Sequence, residues 1–143
     1  MKIAVACDHG GFALKEGIKE YLISKGVEVV DLGTGSQEPV DYPIYGRACA
    51  EAVAAGKADR GIAFCGTGIG VSIAANKVKG IRCALCTDAD MAEMAAKHND
   101  ANMLALGGRR TSVGKAIEIA RTWLEAEFEG GRHKRRVDML NEM

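Results

Sequence analysis

The strongest constraint on the fold is a regular alternation of short apolar runs with longer amphipathic stretches, starting at the first residues. The apolar runs predict strands at residues 3–7, 27–32, 61–65, 81–86 and 103–106. The stretches between them predict helices at residues 12–24, 43–55, 71–78, 88–97 and 113–127. Strands that are apolar throughout and alternate with helices indicate a parallel sheet covered on both faces. We therefore expect an α/β fold with a five-stranded parallel sheet.

Length and composition narrow the class of protein further. The 143 residues are expected to form one domain, residues 1–143. Apolar residues make up 48% and charged residues 27%, which argues against a disordered chain. Nineteen basic residues balance nineteen acidic ones, so no net field draws the protein to nucleic acid or to a membrane. No signal peptide or membrane span is recognisable, and five cysteines are then expected as reduced thiols in the cytoplasm.

Polar residues and glycines follow each predicted strand. Asp8 and His9 come after the first strand, Cys65 and residues 66–70 after the third, and Arg109 after the fifth. Ligands of parallel sheets bind at the carboxyl ends of the strands. We therefore expect these residues to converge on one edge of the sheet.

The glycine-rich turn at residues 66–70 opens a predicted helix. It is not a dinucleotide-binding fingerprint, because Val71 stands where that motif needs its last glycine, and it lacks the Lys-Ser/Thr pair of a Walker A loop. Backbone N–H groups at the start of a helix form a small anion pocket. A tight turn without a ligand is the alternative.

Cys65 differs from the other cysteines because its strand ends there, directly before this turn. A helix N-terminus stabilises the thiolate form of such a side chain. The other four, Cys7, Cys49, Cys83 and Cys86, are expected to be buried small apolar side chains. Although Cys83 and Cys86 form a C-x-x-C, residues three apart on a strand face opposite sides, so a redox or zinc site is not favoured.

Two histidines are candidates for chemistry. His9 stands beside Asp8 at a strand end and is followed by glycines. His98 ends the fourth predicted helix, where it shares a helical face with Met91 and Met94. A histidine satisfied within the core therefore remains an alternative for His98.

The segment 132–136 contains four basic residues and one histidine. Arg132 and Arg136 are four residues apart, so on a helix they share a face and could hold one phosphate, with Arg109 joining them. A solvated basic face is the usual interpretation of such a run. A nucleic-acid patch is less favoured, because the run has no interleaved aromatic residues.

Together these segments resemble the family of type B ribose-5-phosphate isomerases, which also includes galactose-6-phosphate and allose-6-phosphate isomerases. The resemblance runs from Lys2 to about Arg136. It rests on CDHGGF at 7–12, DYP at 41–43, CGTGIGVSIAANK at 65–77, GIR at 80–82, HNDAN at 98–102 and GGRHKRR at 130–136. The segment 65–77 with HND downstream is the most specific part.

The resemblance implies a Rossmann-like three-layer α/β/α sandwich with a C-terminal helical extension. It implies a homodimer or tetramer with active sites between subunits, working without a metal or organic cofactor. The implied reaction interconverts D-ribose 5-phosphate and D-ribulose 5-phosphate through an enediolate.

The resemblance also implies roles for individual residues. Cys65 would be the base that moves a proton between C1 and C2; some relatives place a glutamate at the position of Val71 instead. His98 would open the furanose ring, with Thr67 as a candidate helper. The loop that holds the enediolate oxygens would consist of Gly66, Thr67, Gly68, Ile69 and Gly70.

The remaining implied residues contact the sugar and its phosphate. Asp8 would lie near the sugar hydroxyls and Tyr42 would line the pocket. The implied phosphate ligands are His9, Arg132 and Arg136, and Asn99 and Arg109 would be further contacts given by the other subunit.

The chemistry also fits the residues without the resemblance, because isomerisation needs one base and fixed donors for an oxyanion. An isomerase of a hexose 6-phosphate is the nearest alternative. A cysteine hydrolase using Cys65 with His98 is a second, and a phosphosugar-binding regulator without turnover is a third. The regulator would need a lost base or acid, and neither Cys65 nor His98 is missing.

Overall fold

The computed structural model describes residues 1–143, and a five-stranded sheet runs through its centre. The strands, in chain order, are β1 Lys2–Cys7, β2 Glu28–Asp31, β3 Arg60–Cys65, β4 Cys83–Leu85 and β5 Met103–Gly107. They lie in the order β2-β1-β3-β5-β4, and every neighbouring pair is parallel. The predicted parallel sheet is confirmed.

Six helices surround the sheet: α1 Phe12–Ser24, α2 Tyr42–Ala54, α3 Ile69–Asn76, α4 Ala89–Asn99, α5 Val113–Glu125 and α6 Arg132–Asn141. A short 3-10 turn, His9–Gly11, precedes α1. The side chains of Asp88 and Ser112 cap α4 and α5 by accepting a backbone N–H three residues on. No helix has the length and apolar character needed to cross a membrane.

The core consists of two apolar clusters, one on each face of the sheet. Side chains of α1, α4 and α5 form one cluster around Phe64 and the wholly buried Trp123. Side chains of α2 and α3 form the other cluster, which contains Ala63. Phe64 and Ala63 are neighbours on β3 and point to opposite faces. The result is the expected three-layer α/β/α sandwich.

Several predicted element ends differ from the structure by one or two residues, and three of them have a clear local cause. Helix α3 begins at Ile69 rather than at residue 71, because Gly68 with φ +81° caps it directly after the turn. Strand β4 covers only Cys83–Leu85, since the N–H of Arg82 donates to the side chain of Asn102 at 2.8 Å instead of to a strand. Helix α5 ends at Glu125, where the next residue turns to extended backbone with ψ 143°.

The basic segment lies on α6, the expected C-terminal helical extension. His133 and Val137 are buried on its inner side, while Arg132 and Arg136 are exposed one turn apart. The helix packs against α4. The two arginines therefore share the predicted face.

The carboxyl ends of β1 and β3 lie side by side in the middle of the sheet. After β1 the chain enters α1 on one face, and after β3 it enters α3 on the other. The two connections separate at this point, which opens the crevice where parallel α/β sheets bind ligands.

Candidate active site

Cys65 is the last residue of β3, at the edge of this crevice. Its side chain is almost wholly buried, with 5% of the residue exposed. The Sγ atom accepts the backbone N–H of Gly68 at 3.2 Å. A backbone donor and the start of α3 both favour a negative sulfur at this point.

The other four cysteines have no such donor and are free thiols. Burial raises the pKa of Cys7 and of Cys86 to about 11. Burial raises the pKa of Cys49 to about 12 and that of Cys83 further. Cys83 and Cys86 pack on opposite faces of the sheet, as the strand spacing predicts.

The turn at residues 66–70 follows directly and depends on its glycines. Gly68 has φ +81°, and a Cβ atom there would lie 2.7 Å from Cδ1 of Leu85 and 3.0 Å from the backbone of Leu106. The hydroxyl of Thr67 accepts the N–H of Ile69 at 3.2 Å. The turn is thereby held rigid at the N-terminus of α3.

Arg109 covers this turn from the carboxyl end of β5. Its backbone N–H donates to the carbonyl of Gly66 at 2.9 Å. A Cβ atom on Gly66 would lie 2.9 Å from Nη1 of Arg109, so the guanidinium stands directly over the glycine. The expectation that Arg109 is given by the other subunit is therefore wrong, because the register of β3 and β5 brings it to its own Cys65.

Asp8 and His9 approach the turn from the end of β1. Asp8 is 7% exposed, and its Oδ1 accepts the N–H of Gly11 at 3.1 Å. A Cβ atom on Gly10 would lie 3.0 Å from the nitrogen of Gly66, so the two loops touch. Nδ1 of His9 accepts the N–H of Val40 at 3.2 Å, which leaves Nε2–H of the neutral ring as a free donor.

Tyr42 completes this group from the first turn of α2. A Cβ atom on Gly70 would lie 2.5 Å from Cε1 of Tyr42, so the phenol ring lies flat on that glycine. The residue is 42% exposed. The carboxyl edge of the sheet thus brings together most of the predicted site residues, which we call the cysteine half-site: Asp8, His9, Tyr42, Cys65, residues 66–70 and Arg109.

His98, Asn99, Arg132 and Arg136 lie elsewhere, and we call them the histidine half-site. Helix α4 ends at Asn99 and leads into the amino end of β5, whereas Cys65 pairs with Gly107 at the carboxyl end of β5. The two ends of β5 are about 13 Å apart. Helix α6 packs against α4 on the same side as His98.

Within one chain, therefore, His98 does not meet Cys65. The expectation that Arg109 could join Arg132 and Arg136 on one phosphate is wrong for a single chain. Its physical reason is the direction of β5, which separates the two arginine positions along its length.

His98 is packed against α6 rather than within the core. Its ring stacks on His133, with centroids 4.2 Å apart and planes 8° from parallel. The side chain of His98 is 37% exposed, so the alternative of a core histidine is wrong. Burial, and the neighbouring His98 and Arg132, lower the pKa of His133.

Two groups in the structure, Glu129 and Lys15, were not predicted from the sequence. Glu129 lies beside His98 and His133, but its contacts depend on the turn between α5 and α6. Lys15 is wholly buried and donates to Oδ1 of Asp31 at 2.8 Å and to the carbonyl of Thr34 at 2.7 Å. A lysine on the apolar face of α1, where Leu14 and Ile18 also point inward, was the only signal available for the second group.

The chain is similar to known proteins both in sequence and in structure. The chain matches the family described as Ribose/Galactose Isomerase over residues 3–140. It is 50% identical over 139 residues to ribose-5-phosphate isomerase B of Escherichia coli K12. The aligned region covers 97% of this chain and 93% of that protein. Its structure is similar to ribose-5-phosphate isomerase B of Clostridium thermocellum, with a TM-score of 0.98, 55% identity, and coverage of 99% of this chain and 96% of that one.

A second solved structure holds a ligand. Ribose-5-phosphate isomerase B of Mycoplasma genitalium, with bound ribulose-5-phosphate, has a TM-score of 0.93 to this structure and 42% identity, covering 99% of this chain and 94% of that one. Both the sequence match and the structural match extend over nearly the whole chain. The chain belongs to the ribose/galactose isomerase family.

Proposed function

We propose that the protein interconverts D-ribose 5-phosphate and D-ribulose 5-phosphate. The observation that carries the proposal is the sulfur of Cys65, which accepts the N–H of Gly68 beneath a rigid glycine turn covered by Arg109. This arrangement offers a thiolate base and fixed donors for a developing oxyanion within one crevice. Similarity to proteins named ribose-5-phosphate isomerase B supports the choice of sugar.

The proton shift is assigned to Cys65. Its thiolate removes the C2 proton of the open-chain aldose, and the electron pair forms the C1–C2 double bond of an enediolate. The thiol then returns the proton to C1, while the proton of the C2 hydroxyl passes to O1, which leaves a ketone at C2. Amides at the start of α3, in residues 66–70, hold the negative oxygen between these steps.

Ring opening is assigned to His98, with Thr67 as a candidate helper. The ring oxygen takes a proton from His98 as its bond to C1 breaks, and the anomeric hydroxyl gives its proton to solvent and becomes the aldehyde. His98 recovers its proton from solvent. Asp8 is assigned to the sugar hydroxyls and Tyr42 to the wall of the pocket.

Binding of the phosphate is assigned to both half-sites. His9 presents Nε2–H from the cysteine half-site, and Arg132 with Arg136 presents two exposed guanidinium groups on one face of α6. Bidentate guanidinium contacts fix a phosphate far from the reacting carbons and so orient the sugar. Asn99 is assigned as a further contact with the substrate.

The active unit is then a homodimer or a tetramer, with each site shared by two chains. In a single chain Cys65 lies at the carboxyl ends of the strands and His98 lies near the amino end of β5. The cysteine half-site of one copy therefore needs the histidine half-site of another. Beside the cysteine half-site lies an exposed apolar surface, formed by Ile44, Ile69 and Ile73, which are 63%, 52% and 56% exposed. Apolar surface of this kind is typical of interfaces between subunits.

Two further assignments accompany this function. Residues 1–143 are taken to act as one domain, because one sheet carries both apolar clusters. The protein is assigned to the cytoplasm, where five free thiols stay reduced. No nucleic acid or membrane is assigned as a partner.

The test compares kcat/KM for ribose 5-phosphate and allose 6-phosphate on the purified chain, with EDTA present. We expect ribose 5-phosphate to be favoured at least about tenfold, because an added CH–OH unit must fit beneath Arg109 and Tyr42. A preference for allose 6-phosphate would move the assignment to a hexose 6-phosphate isomerase. Loss of turnover in EDTA would contradict a mechanism without a metal.

The role of the Cys65 sulfur is tested by measuring exchange of a carbon-bound proton of the substrate for deuterium in D2O. Ribulose 5-phosphate has no free hydroxyl that can close a furanose ring, so exchange of its C1 proton needs the base but not ring opening. We expect Cys65→Ala to abolish both isomerisation and exchange while phosphosugar binding stays largely intact. We expect His98→Asn to retain exchange, and full exchange in Cys65→Ala would overturn the assignment of the base.

A further inference from the structure

Glu129 lies beside the Nε2 edges of two stacked imidazoles at the histidine half-site. Its Oε1 is 3.5 Å from Nε2 of His98 and 3.6 Å from Nε2 of His133. We propose that Glu129, together with the stacked ring of His133, is a positioning residue for His98. This inference rests on the proposed function, in which His98 opens the sugar ring.

The three side chains form the one cluster of histidine, cysteine or acidic groups whose ligand atoms all lie within 4.8 Å. They are nevertheless poorly arranged for a metal. The lone pairs of an imidazole lie in the ring plane, and these two planes are 8° from parallel, so the lone pairs do not converge on one point. Positioning of one imidazole by the other two groups is the chemistry that the geometry favours.

Glu129 is held in place by the backbone. Its N–H donates to the carbonyl of Lys97 at 3.0 Å, at the residue directly before His98. Gly130 and Gly131 then turn the chain into α6 with φ +68° and +57°, and this turn brings His133 onto the ring of His98. The backbone of Glu129 is therefore anchored at the helix end that carries His98.

Electrostatic repulsion disfavours a positive charge on both rings of this pair at once. Two positive charges about 4 Å apart repel by about 4 kcal/mol at an effective dielectric constant of about 20, so the two rings do not both become cations. His133 is the more buried ring, with 10% of its side chain exposed against 37% for His98. Burial therefore disfavours a charge on His133, and Glu129 is the carboxylate placed to stabilise a positive charge on the ring of His98.

Other charged groups surround the pair of rings. Arg132 and Arg136 on α6 disfavour a charge on His133. On α4, Lys97 is paired with Glu93. Glu129 is the carboxylate within 4.0 Å of both rings. With Nε2 of His98 facing Glu129, Nδ1 is the nitrogen left to exchange a proton with the sugar.

The test compares Glu129→Gln with the wild-type chain, using Glu127→Gln as a matched control on the same exposed segment. We expect Glu129→Gln to lower kcat from ribose 5-phosphate about tenfold with KM within about twofold, because the acid is disoriented while phosphate contacts remain. Exchange of the C1 proton of ribulose 5-phosphate should stay within about twofold of wild type. Glu127→Gln should leave both rates unchanged.

A second measurement does not depend on turnover. The chain has three histidines, and their ring C–H signals can be followed by NMR as the pH is changed. Loss of the carboxylate destabilises the cation of His98, so in Glu129→Gln its signal should titrate at a pH about half a unit to one unit lower. The pH profile of kcat should move in the same direction.

The outcomes separate this inference from the proposed function. If the wild-type chain neither isomerises ribose 5-phosphate nor exchanges ribulose 5-phosphate, the proposed function fails, while the NMR titration still reports on the pairing of Glu129 with His98. If Glu129→Gln leaves turnover and the His98 titration unchanged, the inference is overturned. An equal loss of turnover and exchange would also overturn it, since that pattern indicates general disruption of the site.

Discussion

Residues of the same type behave differently in this protein because their surroundings differ. Four cysteines are thiols packed in the core, three of them buried and Cys83 half-buried, and burial raises the pKa to about 11 for Cys7 and Cys86 and about 12 for Cys49. Cys7 and Cys65 both end a strand, but only the sulfur of Cys65 accepts a backbone N–H. Its position, and not its residue type, makes it the candidate base.

This difference predicts selective alkylation. At pH 8 a thiol with a pKa of about 11 is ionised to about one part in a thousand, so it reacts slowly. We expect iodoacetamide to modify Cys65 at least about tenfold faster than any other cysteine, as measured by mass spectrometry of the digested protein. Ribulose 5-phosphate should slow the reaction, and faster labelling of Cys7 or Cys86 would contradict the prediction.

The exposed arginines of α6 predict a change in binding rather than in chemistry. Phosphate contacts act equally on the bound substrate and on the transition state. We expect Arg136→Ala to raise KM for ribose 5-phosphate more than about tenfold while kcat stays within about threefold, as measured by steady-state kinetics. Arg135→Ala, at the neighbouring exposed position, is the control; a large loss of kcat at unchanged KM in Arg136→Ala would refute the assignment.

At the scale of elements, an ion pair between the buried Lys15 and the partly exposed Asp31 joins α1 to the end of β2. The side chain of Lys15 is 1% exposed and donates to Asp31, which also accepts from Lys19 and from the N–H of Gly33. Lys15 further donates to the carbonyl of Thr34. The pair therefore fixes the backbone that runs beside the carboxyl end of β1.

The pair predicts a pH-dependent stability. Burial raises the pKa of Asp31, but hydrogen bonds from Lys15, Gly33 and Lys19 outweigh it and hold the pKa below the ordinary value of 3.8. A lowered carboxyl pKa adds stability that is present above the ordinary pKa and is lost as the pH falls through the pKa of the folded state. Asp31 therefore adds stability at neutral pH that disappears below about pH 4.

Asp31→Asn tests this, because it leaves Lys15 buried without its counter-charge. We expect the free energy of unfolding at pH 7 to fall by about 3 kcal/mol in urea titrations. The difference from wild type should shrink at pH 3. Glu38→Gln, an exposed carboxylate outside the ion pairs, should change stability little at either pH, and equal losses at pH 7 and pH 3 would contradict the account.

At the scale of the whole molecule, the parallel sheet separates the two half-sites. Every strand runs in one direction, so the carboxyl ends carry Cys65 and the amino side carries His98. No rotation of a side chain spans the length of β5. The proposed site, which uses both Cys65 and His98, therefore requires two chains.

The separation predicts complementation between two inactive variants. Cys65→Ala and His98→Asn should each lose isomerisation of ribose 5-phosphate as homomers. Mixed dimers contain one site in which both residues are wild type, so refolding the two variants together should restore about one quarter of wild-type activity. Mixing Cys65→Ala with unaltered chain at a matched ratio controls for refolding, and no recovery in the variant mixture would refute a shared site.

Several features of the fold and site could be predicted from the chain alone. The five strands and helices α1 to α5 were found because apolar spacing reports directly on local backbone form, and α1 was predicted at its observed bounds. Helix α6 was expected only from the resemblance, since its sequence is mostly charged. Strand β4 was predicted too long, because Ile81 continues the apolar pattern while the side chain of Asn102 ends the strand. The glycine turn and Cys65 were found because both belong to one short segment.

The sequence by itself determined the α/β class, the order of the elements and the convergence of Asp8, Cys65 and Arg109 at one edge, since local periodicity and strand direction suffice for these. Only the tertiary structure decided the strand order, the separation of His98 from Cys65, and the meeting of Glu129 with two imidazoles. These features join segments far apart in the chain. No local pattern of residues encodes the distance between such segments, and packing of α4 and α6 against the finished sheet sets it.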